Sequence, residues 1–150
     1  MNLDSVDIKL LKMLNENARV SFRKMGEEVG LSTSGTIRRI KKLEDEGILE
    51  GYTAVINPER VGQSVTAFLN IDTKPGETGR VAGALSRSKE VCEIHRTTGS
   101  PDLIAKIRAE NLSEVDEFVE ERVGTYEGVR NVTAVVTMKT YKEQLWSPGV

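Results

Sequence analysis

The chain has 150 residues, 29% of them charged and 38% hydrophobic, which suits one ordinary globular domain or two small ones. No apolar run approaches the ~20 residues needed to span a bilayer. A single cysteine excludes an intrachain disulfide, and one histidine with one cysteine cannot build a zinc site without several carboxylates. The net charge of −2 hides an uneven pattern, with residues 1–63 neutral and residues 64–150 carrying −2. Within the neutral part the base is concentrated in Arg38-Arg39-Ile40-Lys41-Lys42, and local density decides what a charge can attract.

The first part predicts three helices. Asp4 is placed to cap the first, with Asp7 in its opening turn, where carboxylates suit the helix dipole. Ile8, Leu11 and Leu14 recur at helical spacing, with Leu10 broadening the stripe, and the pattern fades at Asn15–Asn17. Ser21 caps a short second helix carrying Phe22, Met25 and Val29 on one face, and Gly30 stops it. Ser32 caps a third, in which Ile37, Ile40 and Leu43 are expected to face inward and Gly47 ends the run. Two helices joined by a tight glycine turn, the second rich in base, describe a helix-turn-helix. Ile48–Ile56 reads as extended, a short wing or a strand entering the linker. Gly26 in the second helix is expected to loosen it by about 0.5–1 kcal/mol relative to Ala.

Past Asn57-Pro58 and Gly62 the period changes to two. Val65, Ala67, Leu69 and Ile71 mark a strand, Lys74-Pro75-Gly76 a turn, and Glu77–Ser88 a helix. Val91–Thr97 and Leu103–Ala109 are predicted strands with a turn at 98–102. Ser113 with Asp116 starts a helix that ends at Gly124, and Val129–Lys139 is the last strand. The order β-α-β-β-α-β is ferredoxin-like. The fold class is therefore α+β. An N-terminal helix-turn-helix (winged-helix-like) domain over 1–50 is followed by a linker at 51–63, a ferredoxin-like domain over 64–140 and a tail at 141–150. One sheet face takes both helices, and the other keeps Phe68, Ile94, Ile104 and Val135 apolar. A bare apolar face argues for a second copy of the chain.

The strongest chemical signal is the third helix. Arg38, Lys41 and Lys42 share one face. Ser32, Thr33, Ser34 and Thr36 crowd its N-terminal end, where free N–H groups and short hydroxyls suit phosphates and base edges. Arg39 belongs to the same basic run, and Arg23 adds base from the second helix. Arg can pair bidentately with guanine. The plain alternative is a solvated helix face balanced by Glu44, Asp45 and Glu46. In the second half, Gly99, Ser100 and Asp102 offer N–H groups, a hydroxyl and a carboxylate in one loop. That set suits the ammonium and carboxylate of an amino acid, or forms an ordinary hairpin turn. His95 reads as a sheet residue and Cys92 as a buried small hydrophobe. No residue set points to a metal or a cofactor.

Taken together, Asn17-Ala18-Arg19-Val20-Ser21, Gly30-Leu31-Ser32, Arg39-Ile40-Lys41-Lys42-Leu43-Glu44 and Gly47-Ile48-Leu49-Glu50-Gly51-Tyr52 resemble the Lrp/AsnC family of transcription regulators. The resemblance extends through Asn57-Pro58, Gly99 with Asp102, and Gly128-Val129. Pro101 stands where the family carries an aromatic residue. The resemblance implies a cytoplasmic, nucleoid-associated regulator that binds palindromic double-stranded DNA near promoters and has no membrane partner. It implies a homodimer that assembles into tetramers or octamers and responds to an amino acid. It further implies that Gly99, Ser100 and Asp102 line the effector site, with Thr133 and Val135 on the facing strand. Two rivals share the layout: an enzyme similar to sirohaem decarboxylases, and an architectural DNA-packaging protein with little sequence preference.

Overall fold

The computed structural model describes residues 3–147. Contacts divide the chain into two compact units, one running to Val55 and including the tail from Lys142, the other spanning Ile56–Tyr141. No helix among the described residues is long and apolar enough to cross a membrane.

The first unit is helical, with α1 (Ser5–Glu16), α2 (Phe22–Val29) and α3 (Thr33–Asp45). Its core is Leu10, Leu11, Leu14, Met25, Ile40 and Leu43. The caps fall where the sequence places them. Asp4 and Asp7 form a reciprocal capping box, the Asp4 carboxylate accepting from the Asp7 N–H at 2.8 Å and Asp7 accepting from the Asp4 N–H at 3.2 Å. Ser21 and Ser32 accept from Lys24 and Gly35 N–H groups. Gly30 closes α2 at φ 73°, a left-handed conformation that costs glycine little.

Helix phase departs from expectation in α3. Thr36, Ile40 and Leu43 form its buried stripe, while Ile37 is 43% exposed. Thr36 goes inside because α2 and α3 meet at Gly26. A Cβ on Gly26 would lie 2.6 Å from the Leu31 carbonyl oxygen and 2.9 Å from Thr36 Oγ1. Gly26 therefore permits the helices to approach rather than loosening α2. Gly26→Ala is expected to destabilise this unit by about 1–3 kcal/mol through overpacking, despite Ala's better helix propensity. A thermal melt followed by circular dichroism checks it, and an unchanged or higher Tm would refute the close-approach account.

The stretch Ile48–Ile56 forms neither strand nor wing. The Ile48 and Leu49 N–H groups both return to the Leu43 carbonyl, and residues 51–57 have no ladder partner. Tyr52 donates to Glu44 at 2.7 Å. Burial, then the neighbouring Glu44 carboxylate, pushes its pKa up to about 12.

The second unit is a four-stranded antiparallel sheet with two helices on one face. β1 (Val65–Thr73), α4 (Thr78–Leu85), β2 (Val91–Arg96), β3 (Leu103–Ala109), α5 (Leu112–Glu117) and β4 (Val129–Val136) occur in that order, and the sheet order is β2-β3-β1-β4. A π-helical turn, Phe118–Val123, continues α5. Asn111 rather than Ser113 caps α5, accepting from the Glu114 N–H. Val81, Leu85, Val115, Phe118, Val119 and Val123 pack on Ala67, Leu69, Ile71, Leu103, Ala105, Ile107 and Ala109.

The opposite face carries Phe68, Ile104 and Val135, as expected from alternation, but not Ile94. Ile94 pairs with Ala105 and packs on the helix side, while His95 pairs with Ile104 on the bare face. The register shifts between Val91 and Glu93, and an extra residue in a strand reverses the facing of every residue beyond it. Cys92 lies at that shift and is exposed rather than buried. On the bare face Lys106, its side chain only 10% exposed, donates to Glu93 at 3.1 Å.

Candidate functional site

Within the first unit, α3 presents one exposed face bearing Ser34, Ile37, Arg38, Lys41 and Lys42, with Ser32 and Thr33 at its start. Arg38 and Lys41 have no ion-pair or hydrogen-bond partner among the described residues. Lys42 meets Glu46 at 3.8 Å with its side chain 65% exposed, and Arg23 on α2 meets Glu27 at 3.8 Å. Exposed pairs at that distance are worth about 0–1 kcal/mol, so both cations remain available to phosphate. The Ser32 hydroxyl is already engaged by the Gly35 N–H at 3.1 Å and lies 3.2 Å from Ser34 Oγ.

Two residues expected at this face do other work. Thr36 is fully buried and donates its hydroxyl to the Ser32 carbonyl at 3.1 Å. Arg39 turns to α1, where its Nη1 donates to Asp4 Oδ2 at 2.6 Å and to Asp7 Oδ1 at 2.8 Å. Each carboxylate gives one oxygen to the capping box and the other to this guanidinium. Thr36 and Arg39 are thus parts of the scaffold. Conversely, inward periodicity concealed Ile37, whose phase on the helix is decided by how α3 packs.

In the second unit, loop 97–102 is held by its own groups. Asp102 Oδ2 accepts from the Thr73 N–H at 2.7 Å and from Thr73 Oγ1 at 3.0 Å. Thr73 Oγ1 also lies 2.7 Å from Thr78 Oγ1. The Asp102 carboxyl is held below its ordinary value first by the Thr73 N–H, then by the Thr73 hydroxyl, with Arg130 and Arg96 adding positive charge. Ser100 Oγ donates to Asp72 Oδ1 at 3.3 Å, and Thr97 donates to the Gly99 and Pro101 carbonyls.

Gly99, Ser100 and Asp102 therefore share one loop, but Thr133 and Val135 stand apart from it. They pair with Asn70 and Phe68 on β1, and β1 itself separates them from β3. The β4 residues beside the loop end of β1 are Arg130 and Asn131, and Arg130 lies 4.0 Å from Asp72. Sequence reading missed Arg130 because the β1–β4 register, not local pattern, brings it to the loop, and it passed over Arg96, the last residue of β2 directly before the loop. A separate cleft of about 440 Å³ includes Lys89, Glu90, Arg108, Glu114, Phe118 and Arg122, and none of the expected effector residues lines it.

Because folding lowers the pKa of Asp102, its stabilising contribution is present above the unfolded value near 3.8 and is lost as pH falls through the lower folded value. Melting this protein from about pH 5 to about pH 2 is expected to show a shallower acid decline for Asp102→Asn than for wild type. Identical acid limbs would show that Asp102 does not staple the loop to β1.

The comparisons with known proteins agree with this architecture. A family model for the AsnC-type helix-turn-helix domain matches residues 3–44, and one for the Lrp/AsnC ligand binding domain matches residues 66–147. The HTH-type transcriptional regulator FL11 of Pyrococcus furiosus is 36% identical over 141 residues, covering 94% of this chain and 93% of that protein. The HTH-type transcriptional regulator Ptr1 of Methanocaldococcus jannaschii is 34% identical over 142 residues, 94% of this chain and 95% of that one. Among solved structures, the L-Met complex of transcriptional regulator NMB0573 from Neisseria meningitidis matches with a TM-score of 0.89 and 30% identity, covering 96% of this chain and 95% of that one.

Proposed function

Since the chain belongs to the Lrp/AsnC family of transcriptional regulators, we propose that it regulates transcription by placing α3 in the major groove of specific double-stranded sites. The observation that carries this reading is the exposed stripe of Ser34, Arg38, Lys41 and Lys42 on a capped helix behind a three-residue turn. Arg38 reads a base edge, and Lys41, Lys42 and Arg23 meet phosphates. First-turn N–H groups and the hydroxyls of Ser32, Thr33 and Ser34 assist at the backbone.

The bare sheet face supports a homodimer, since Phe68 and Val135 are 40% and 56% exposed side by side. Two-fold pairing places two recognition helices on half-sites roughly 34–36 Å apart, on the nucleoid in the cytoplasm, and further assembly yields tetramers or octamers. A small effector, an amino acid in the first instance, binds at Gly99, Ser100 and Asp102, with Arg96 and Arg130 close by. The relative solved with L-Met supports that class of ligand. So does the loop's inventory of hydroxyl, carboxylate and nearby arginines.

The test is selection of bound sites from random duplex DNA at one fixed salt, with and without pooled amino acids. A palindromic motif is expected, altered in affinity by one pool. Recovery without a motif would instead indicate packaging, and no recovery would overturn the DNA-binding reading.

A further inference from the structure

Ile37 is the only apolar side chain on the exposed face of α3, since Ile40 and Leu43 are buried at 2% and 1%. It lies one helical turn from Ser34 and from Lys41, at the edge of the polar stripe where the exposed surface of α3 meets the buried Ile40. Its neighbours would hold a polyanion against it. A β-branched side chain in a helix has one strongly preferred χ1 rotamer, so Ile37 presents a stiff aliphatic knob at a defined place. The major groove offers few apolar features to such a knob, the chief one being the C5-methyl group of thymine.

We propose that Ile37 is a specificity-determining residue that reads thymine by packing on its C5-methyl group. The inference rests on the DNA-binding reading above. Arg38 and the lysines set register and affinity, and Ile37 discriminates thymine from cytosine and from a thymine stripped of its methyl.

The experiment uses the full chain and the duplex obtained by selection, with deoxyuridine replacing thymine at one position at a time. For wild type, one position per half-site is expected to lose affinity by about three- to fivefold, the worth of one methyl removed from water. Ile37→Ala should melt like wild type, because the side chain is exposed, yet bind thymine and uracil at that position equally. Ile37→Val should retain most of the discrimination. Persistence of the preference in Ile37→Ala, or a wild type insensitive to every methyl, would overturn the Ile37 assignment while leaving selective binding intact. Absence of any selective duplex would instead remove the DNA-binding reading, and this inference with it.

Discussion

Arg38→Ala is expected to weaken binding to the selected operator by about 1–3 kcal/mol, roughly 5- to 150-fold, and to relax base preference at one position per half-site. The side chain is exposed and has no internal partner among the described residues, so its removal leaves nothing unpaired in the protein. The melt should therefore match that of wild type. Lys42→Ala provides the contrast. Its loose contact with Glu46 is readily exchanged for a phosphate, so its loss should lower affinity evenly across sequences and reduce the salt slope by about 1. Anisotropy titrations of both variants across a salt series separate the two roles. If both variants match wild type at every salt, α3 does not contact DNA.

The neighbouring substitution has the opposite signature. Arg39→Ala is expected to cost the helical unit about 1–3 kcal/mol of stability, because it strips the partner from Asp7, whose side chain is only 12% exposed. The lower part of that range applies if solvent screens the vacated carboxylates, since Arg39 itself is 35% exposed. The pH dependence has a definite sign. The Asp7 N–H and then Arg39 hold the Asp4 carboxyl below its ordinary value of 3.8. Its contribution is therefore present above that value and lost as pH falls through the folded one. Without Arg39 the folded value lies closer to 3.8, so the acid-dependent loss should be smaller and complete at higher pH. Melts of the two proteins over an acid series give the comparison, and DNA affinity measured well below the melting temperature should be largely retained. A variant as stable as wild type would return Arg39 to the candidate DNA contacts.

These adjacent arginines show where sequence legibility ends. Both belong to the same basic run, and both read as DNA ligands from their charge. They differ by one step of about 100° around the helix, and the partners of Arg39 lie 32 and 35 residues earlier in the chain. The same step separates Thr36 from Ile37, so the helix is legible while its inward and outward residues are exchanged. In the second unit a single shift at Cys92 moves Ile94 to the helix side and His95 to the bare face.

What the sequence by itself determined was local. Asp4, Ser21 and Ser32 as caps, Gly30 as a stop, period two in β1 and β3, and the β-α-β-β-α-β order all depend on residues within a few positions of one another. Cap hydrogen bonds and backbone preferences are short-range forces. Tertiary structure alone decided that Gly26 admits Thr36 against α2, that Arg39 braces α1, that residues 51–57 join no strand, and that Thr133 is separated from loop 97–102 by β1. Each of those outcomes depends on the phase of a helix or the register of a strand. Phase and register are set by packing against elements far away in the chain, where one residue of offset carries a side chain from the core to the surface.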